Sequence, residues 1–495
     1  EDGRGKALSL HIRVPFPPVI LLTLMLTILL LYAAWLVAPG VVQGPILMLG
    51  GLMMVVVAFT SVELTLYLLI LSTLLSPELM FGGGAPAGGV VSTTQSRGIT
   101  IRVDDLMLTI ICLTWLFRMA LYKELGAVRK TPINQPIAWY WLAALFATLA
   151  GFYVGRVGVY GFFFVLKYLE YFVLFYMVAN QIHDHDTIKR YFMVLLFTCF
   201  IVSVLGIAQI PSGERVSAPF EGEVGEPNTF GGYLVLMFSL VLGMFLHSTE
   251  KRRRFWLAML MIVILIPFAF TESRSSYLAF MASIGLFILL TEQKRLLITV
   301  CLIGVALAPF VIPQNVMQRM AFTFTQAEEA GQIRVGGIRI DTSTSERLRA
   351  WEKVLTRDLP RRPLLGAGVT GGTFMDSQYP RVLSETGLIG FVLFLWLLRR
   401  IWVLLRRCYD ELDDPVLKGA SLGALCGFGG LLVHAIGANS FIIVRIMEPF
   451  MIVLGLLMAA LLIHQGRQQS APQGETQNPP SLDSALAKGD SSVSI

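Results

Sequence analysis

The sequence predicts an all-α polytopic membrane protein: a bundle of 12–14 transmembrane helices with one long external loop that carries a short amphipathic helix. Three observations lead there. First, 55% of the 495 residues are hydrophobic and only 15% charged, with a mean hydropathy of +0.68, whereas soluble domains carry about 25% charged residues. Second, apolar runs recur at the roughly 20-residue length that crosses a hydrocarbon core. Third, lysine and arginine gather in alternate connections, the pattern that sets membrane topology. A water-soluble globular enzyme is excluded. The net charge of +6 is spread between apolar segments rather than held in one block, so nucleic acid is not an expected partner.

Fourteen apolar runs lie near 17–38, 45–60, 62–80, 103–122, 137–154, 160–180, 189–210, 229–247, 255–271, 275–291, 296–312, 383–405, 416–436 and 440–463. Those between 45 and 80 are short enough for a bent or re-entrant unit, hence the range in helix number. With the N-terminus in the cytoplasm, Lys123, Arg129, Lys130, Lys189, Arg190, Lys251 to Arg254, Lys294, Arg295 and Arg399 to Arg407 all face the cytoplasm, and both termini lie there. The first run has a spanning length and no clear cleavage site, so it reads as an anchor. Lys167 with Glu170, and Arg445 with Glu448, stand three apart on helices and read as intramembrane structural pairs. The five cysteines show no metal or disulfide spacing. From Gly466 to Ile495 the composition is too polar for a core and predicts a disordered tail. The expected regions are thus 1–312 (eleven helices), 313–381 (external loop), 382–465 (C-terminal helices) and 466–495 (tail).

The external loop holds nine arginines against one lysine, in breach of the positive-inside trend. Arginine's planar fork grips phosphate or carboxylate in two places, which points to an anionic ligand; the alternative is pairing with the loop's seven acidic residues on a solvated surface. Ser343 and Glu346 have capping-box spacing, and Leu348, Trp351, Val354 and Leu355 follow as an apolar helical face. Arg347, four residues before Trp351, shares that inward side. On the same external face Arg156 sits in a very short connection, Asn228 opens a helix, and Arg274 lies in a tight hairpin at a helix N-terminus, where the dipole favours anions.

Five motifs in order carry a resemblance: Glu226 to Gly232, Thr271-x-Ser-Arg-Ser-Ser-Tyr277, Arg347-x₃-Trp351, Pro363-x₂-Gly-x-Gly368, and Tyr379-x₃-Leu-x-Glu-x-Gly-x-x-Gly390. Together they resemble the bacterial O-antigen ligase and Wzy-type polysaccharide polymerase superfamily. The resemblance implies a GT-C type glycosyltransferase of the inner membrane, inverting and independent of metal or cofactor, working at the periplasmic face. Its donor would be a polyprenyl-diphosphate-linked oligosaccharide, and its other partners a glycan acceptor, membrane lipids and further polysaccharide assembly proteins. Arg156, Arg274 and Arg347 would bind the diphosphate together in one pocket, with Asn228 and Tyr379 contacting substrate. The ligase branch has a histidine before the Tyr-x₃-Leu stretch; here the chain reads Phe374 to Tyr379 without one, and Asp376-x-Gln-Tyr resembles the exopolysaccharide polymerase version. Asp376 is therefore the first candidate for the base, ahead of Glu385 and His434. A polymerase is the leading expectation, a ligase transferring glycan to lipid A core the near alternative. A lipid-linked oligosaccharide flippase or exporter is the alternative of another class.

Overall fold

The computed structural model describes residues 57, 61–76, 78–81, 99–121, 129–220, 225–311, 317, 326, 332–335, 338–373 and 375–470. Helices carry the fold: α1 (Val62–Leu75), α2 (Val103–Leu121), α3 (Asn134–Tyr153), α4 (Val159–Gln181), α5 (His185–Gln209), α6 (Pro227–His247), α7 (Lys251–Phe270), α8 (Arg274–Leu290), α9 (Lys294–Val311), α10 (Thr342–Lys353), α11 (Gln378–Glu411), α12 (Pro415–His434) and α13 (Val444–Ser470). By internal contacts the chain divides into two units, 1–69 with 104–124, and 70–103 with 125–495.

Among the described residues eight helices, α3 to α7 and α11 to α13, are long and apolar enough to cross a membrane, and two shorter apolar stretches, Glu63–Leu75 and Arg274–Leu290, accompany them. The protein is an all-α polytopic membrane protein. The predicted runs at 17–38 and 45–60 lie outside the described residues apart from helical Val57, as does the tail beyond Ser470; every other predicted run coincides with a helix. Two boundaries differ. The run expected over 62–80 stops at Leu75, and Glu78–Phe81 (β1) pairs antiparallel with Ile99–Arg102 (β2). Helix α13 continues past Gly466 to Ser470, because Gln and Arg prolong a helix that a packed apolar stretch has already nucleated.

Helices α6, α12 and α13 form the buried centre of the second unit, and α7 is largely turned outwards. The α6–α12 contact is backbone on backbone. A Cβ at Gly243 would stand 2.3 Å from Gly419 O, and one at Gly423 would stand 2.5 Å from Ser239 O. In lipid this close approach supplies the dispersion contact that no hydrophobic driving force provides. Ser239 and Ser283, 2.7 Å apart, join α6 to α8 in the same dry region. Arg445, 2% exposed, donates to Pro219 O (2.7 Å) and Phe220 O (3.1 Å), so it pins the α5–α6 connection.

Alternating spans bring the connection 154–158, residues 210–220, Thr271–Ser273, residues 338–373 and 375–377, and residues 435–443 to one face, called here the loop face. The other face carries Lys189, Arg190, Lys251 to Arg254, Lys294, Arg295 and Lys418.

Candidate active site

The loop face is organised by a break in α11. Gly387 has φ 66° and ψ −167°, a region that only glycine occupies without strain. The break frees four backbone groups, and the glycine-rich turn takes them up. Ala367 N donates to Ser384 O (2.9 Å) and Gly368 N to Glu385 O (2.8 Å), while Leu388 N donates to Pro363 O (2.8 Å) and Ile389 N to Leu364 O (3.3 Å). Here the Pro363-x₂-Gly-x-Gly368 and Glu385-x-Gly387 motifs meet: each satisfies the polar backbone of the other, as a membrane-edge position demands. A Cβ on Gly387 would sit 2.3 Å from Leu364 O. Gly387→Ala is therefore expected to lower the melting temperature measurably through backbone strain of about 1–3 kcal/mol plus that clash. A thermal-shift assay showing wild-type melting would contradict the account.

The turn between α7 and α8 is the second element. Glu272 has φ 49°, and Arg215 holds its carbonyl (3.1 Å) and that of Thr271 (3.1 Å). Ser273 caps α8 through its Oγ. The next residue, Arg274, reaches the loop segment, where its Nη2 lies 2.7 Å from Asp341 Oδ2. Asp341, 2% exposed, is the N-cap position of α10. The cap thus falls at Asp341 rather than at Ser343. Burial raises the Asp341 pKa, but the bond from Arg274 and the nearby Thr344 outweigh this and hold it below the usual carboxylate value. A depressed folded pKa means the clip's contribution is complete above the unfolded carboxyl pKa of about 4 and is lost as pH falls through the folded value. Amide exchange in α10 should accordingly show full protection at neutral pH and a loss below that range. Asp341→Asn should abolish this acid transition, and an unchanged transition would refute the assignment.

Arg347 faces inward on α10. Val354, fully buried, packs against Met375 and Leu383, whereas Leu348 and Leu355 are 41% and 50% exposed, so the inward face is narrower than the periodicity predicts. Its guanidinium lies over Gly437, where a Cβ would be 3.8 Å from Cζ. Nε is buried without a hydrogen-bond partner. Burial lowers its pKa; Asp376 opposes this and Arg274 adds to it. The group stays charged. Asp376 itself is exposed, between anchored neighbours: Asn439 Nδ2 donates to Met375 O (2.8 Å), and Ser377 Oγ donates to Ile436 O (2.8 Å).

A buried polar chain runs behind these charges. Ser273 Oγ donates to Asn228 Oδ1 (2.6 Å), Ser276 Oγ donates to Ser273 Oγ (2.7 Å), and His434 has Nε2 3.1 Å from Ser276 Oγ and Nδ1 2.7 Å from Ser440 Oγ. A hydroxyl has one proton, so Ser276, which gives its own to Ser273, accepts from His434 Nε2–H. His434 is fully buried and bonded at both nitrogens. Glycine makes room for it: a Cβ on Gly231 would be 2.2 Å from Ser276 Oγ, and one on Gly232 3.0 Å from His434 Cε1. The chain fixes the Asn228 carboxamide with its oxygen inward.

Arg274, Arg347, Asp376, His434 and Asn228 therefore share one locality where α6, α8, α10, α11 and the segment after α12 meet. The remaining candidates lie differently. Glu385 is 6% exposed, accepts from Arg381 Nε (3.1 Å) and Thr370 N (3.3 Å), and steadies the glycine-rich turn. Tyr379 donates to Leu432 O (2.6 Å) and braces α11 on α12. Arg156 is exposed and lines a cavity with Arg362, which neither Arg274 nor Arg347 lines. Ser273, Ser276, Ser440, Asp341 and Arg362 gain a role here that the sequence alone does not assign them. The first two stand in the Thr271–Tyr277 motif at an i, i+3 spacing, the one signal that could have marked them. Chemically the arrangement offers two guanidiniums, an amide and a helix N-terminus to an anion, beside one exposed carboxylate.

Fold and site define a polytopic membrane protein with an arginine-bearing site at one membrane face. Residues 268–395 match a family model described as O-antigen ligase, whose members are glycosyltransferase-like membrane enzymes, and the match is consistent with the resemblance to the O-antigen ligase and Wzy-type polymerase superfamily. The matched stretch begins before the α7–α8 turn and includes α10, Asp376 and the break in α11. No curated protein matches the chain.

Proposed function

We propose that the protein is a polysaccharide polymerase that transfers glycan repeat units from a polyprenyl diphosphate onto a glycan acceptor. The observation that carries the reading is Arg347, a guanidinium with a buried, unpartnered Nε, beside the exposed carboxylate of Asp376 within the matched domain. The donor's diphosphate lies against the guanidiniums of Arg347 and Arg274 and the Asn228 amide. The acceptor hydroxyl oxygen attacks the anomeric carbon, its proton passes to Asp376, and the bond to the diphosphate breaks with its electron pair on the leaving polyprenyl diphosphate. Attack opposite the leaving group inverts the anomeric centre. Charge growing on the leaving oxygen meets fixed cations, which is where most of the stabilisation arises. Glu385 and Tyr379 serve by holding the site's walls, and His434 by orienting Asn228. The basic opposite face supports an inner-membrane protein whose site opens to the periplasm.

The test is reconstitution in proteoliposomes with a polyprenyl-diphosphate-linked oligosaccharide. The expected product is a ladder of lengthened glycans, unaffected by chelator. A single transfer to lipid A core would make the protein a ligase, and translocation without a new glycosidic bond would make it a flippase.

A further inference from the structure

The connection after α3 and the segment 362–366 enclose an open cavity of about 300 Å3 whose lining includes Val154, Arg156, Arg362, Leu364 and Leu365. Two cations share it. Neither guanidinium has a hydrogen-bond or ion-pair partner among the described residues. Asp358, the carboxylate that acts on Arg362, instead accepts from Ser384 Oγ at 3.1 Å. Burial, and then the neighbouring Arg156, lower the Arg362 pKa. The fold therefore holds two like charges side by side with Asp358 acting on Arg362 only at a distance and no carboxylate in contact with either fork, a place an incoming anion would take.

The mount is rigid on both sides. Arg156 N and Val157 N donate to Gly151 O (2.9 and 3.3 Å), and Arg362 precedes Pro363, whose carbonyl is tied into the α11 break. Apolar surface surrounds the charges: Val154, Leu364 and Leu365 are 58%, 59% and 39% exposed, and Tyr153 and Tyr160 are 91% and 65% exposed. Exposed tyrosines beside apolar side chains at a helix end suit the membrane interface. A soluble anion would need no such collar, and a phospholipid presents one phosphate to two forks.

We propose that this cavity binds the diphosphate of a second polyprenyl-linked glycan, the acceptor, while Arg347 and Arg274 hold the donor. The inference rests on the polymerase reading, which needs two lipid-linked chains at once. Because Pro363 to Gly368 is hydrogen-bonded into the helix that opens just after Asp376, the acceptor anchor and the base are tied to one backbone unit.

The experiment is native mass spectrometry of the full chain in detergent with geranylgeranyl diphosphate as probe. Two bound equivalents are expected for the unaltered protein, and one for Arg156→Ala/Arg362→Ala and for Arg347→Ala. The double variant should raise the acceptor KM by at least about tenfold, about 1.4 kcal/mol of binding, with donor KM unchanged; both side chains are at the surface, so folding should persist, and the Lys/Lys variant should recover part of the second site. Two equivalents in the double-alanine variant, or displacement of the second by equimolar phosphatidylglycerol, would overturn the proposal. Should Arg347→Ala keep both equivalents while the double variant loses one, the donor clamp would fail and this second site would stand.

Discussion

Asp376→Asn is expected to slow glycan transfer by about 10²- to 10⁴-fold, the usual share of general-base catalysis, without loss of donor binding. Asparagine keeps the shape and removes the proton acceptor. The neighbours that hold residue 376 do so through Met375 O, Ser377 Oγ and Gln378 N, which donates to Ala435 O at 3.0 Å, so the substitution leaves the frame in place. Glu385 and His434 are not expected to take over, since both are buried, Glu385 with Oε1 held by Arg381 and Thr370 N, and His434 fully so, whereas Asp376 is exposed. The measurement is single-turnover transfer with donor saturating. Wild-type rates in a folded variant would remove Asp376 from the mechanism.

Arg347→Ala should lower turnover by about 10²- to 10³-fold, the cost of removing one preorganised donor from a developing charge. Arg347→Lys should recover only part, because a point charge replaces a planar fork. The contrast with Arg274 is instructive. Arg274 has a carboxylate partner at 2.7 Å, so its removal strips α10 of its anchor as well as the site of a cation. Arg347 has no such partner, so its removal should spare stability and strike the reaction. Equal melting temperatures with a large loss of rate would be the signature, and a fold collapse with Arg347→Ala would instead mark it as structural.

Much of the architecture was legible because hydropathy is a local property. Every predicted run within the described residues became a helix, and the short helix expected around Arg347 is α10. Boundaries failed where a neighbour intervened. The run over 62–80 ends early because residues 78–81 find a strand partner at 99–102. The cap of α10 moved to Asp341, where Arg274 meets it.

The site was legible in its residue types and less so in its grouping. Arg274, Arg347, Asp376, His434 and Asn228 were marked from motifs and lie together, but Arg156 was expected among them and stands with Arg362. Spacing along the chain says nothing about which of several arginines at one membrane face share a pocket; that follows from which helices pack together. The motif marks Ser273 and Ser276 by their spacing but not their roles, and Ser440 has no mark at all, since a serine acquires meaning only from the hydrogen-bond partner opposite it.

By itself, then, the sequence determined that this chain is an all-α polytopic membrane protein and which of its described apolar stretches are helical, because burying or exposing a side chain to lipid is decided residue by residue. Only the tertiary structure decided that a helix broken at Gly387 would take the glycine-rich turn into its gap, that Arg274 would be clipped to Asp341 while Arg347 stayed unpaired, and that Arg156 would face Arg362. Those outcomes depend on hydrogen bonds and charges between residues far apart in the chain, whose energies exist only once the backbone has brought them within a few ångströms.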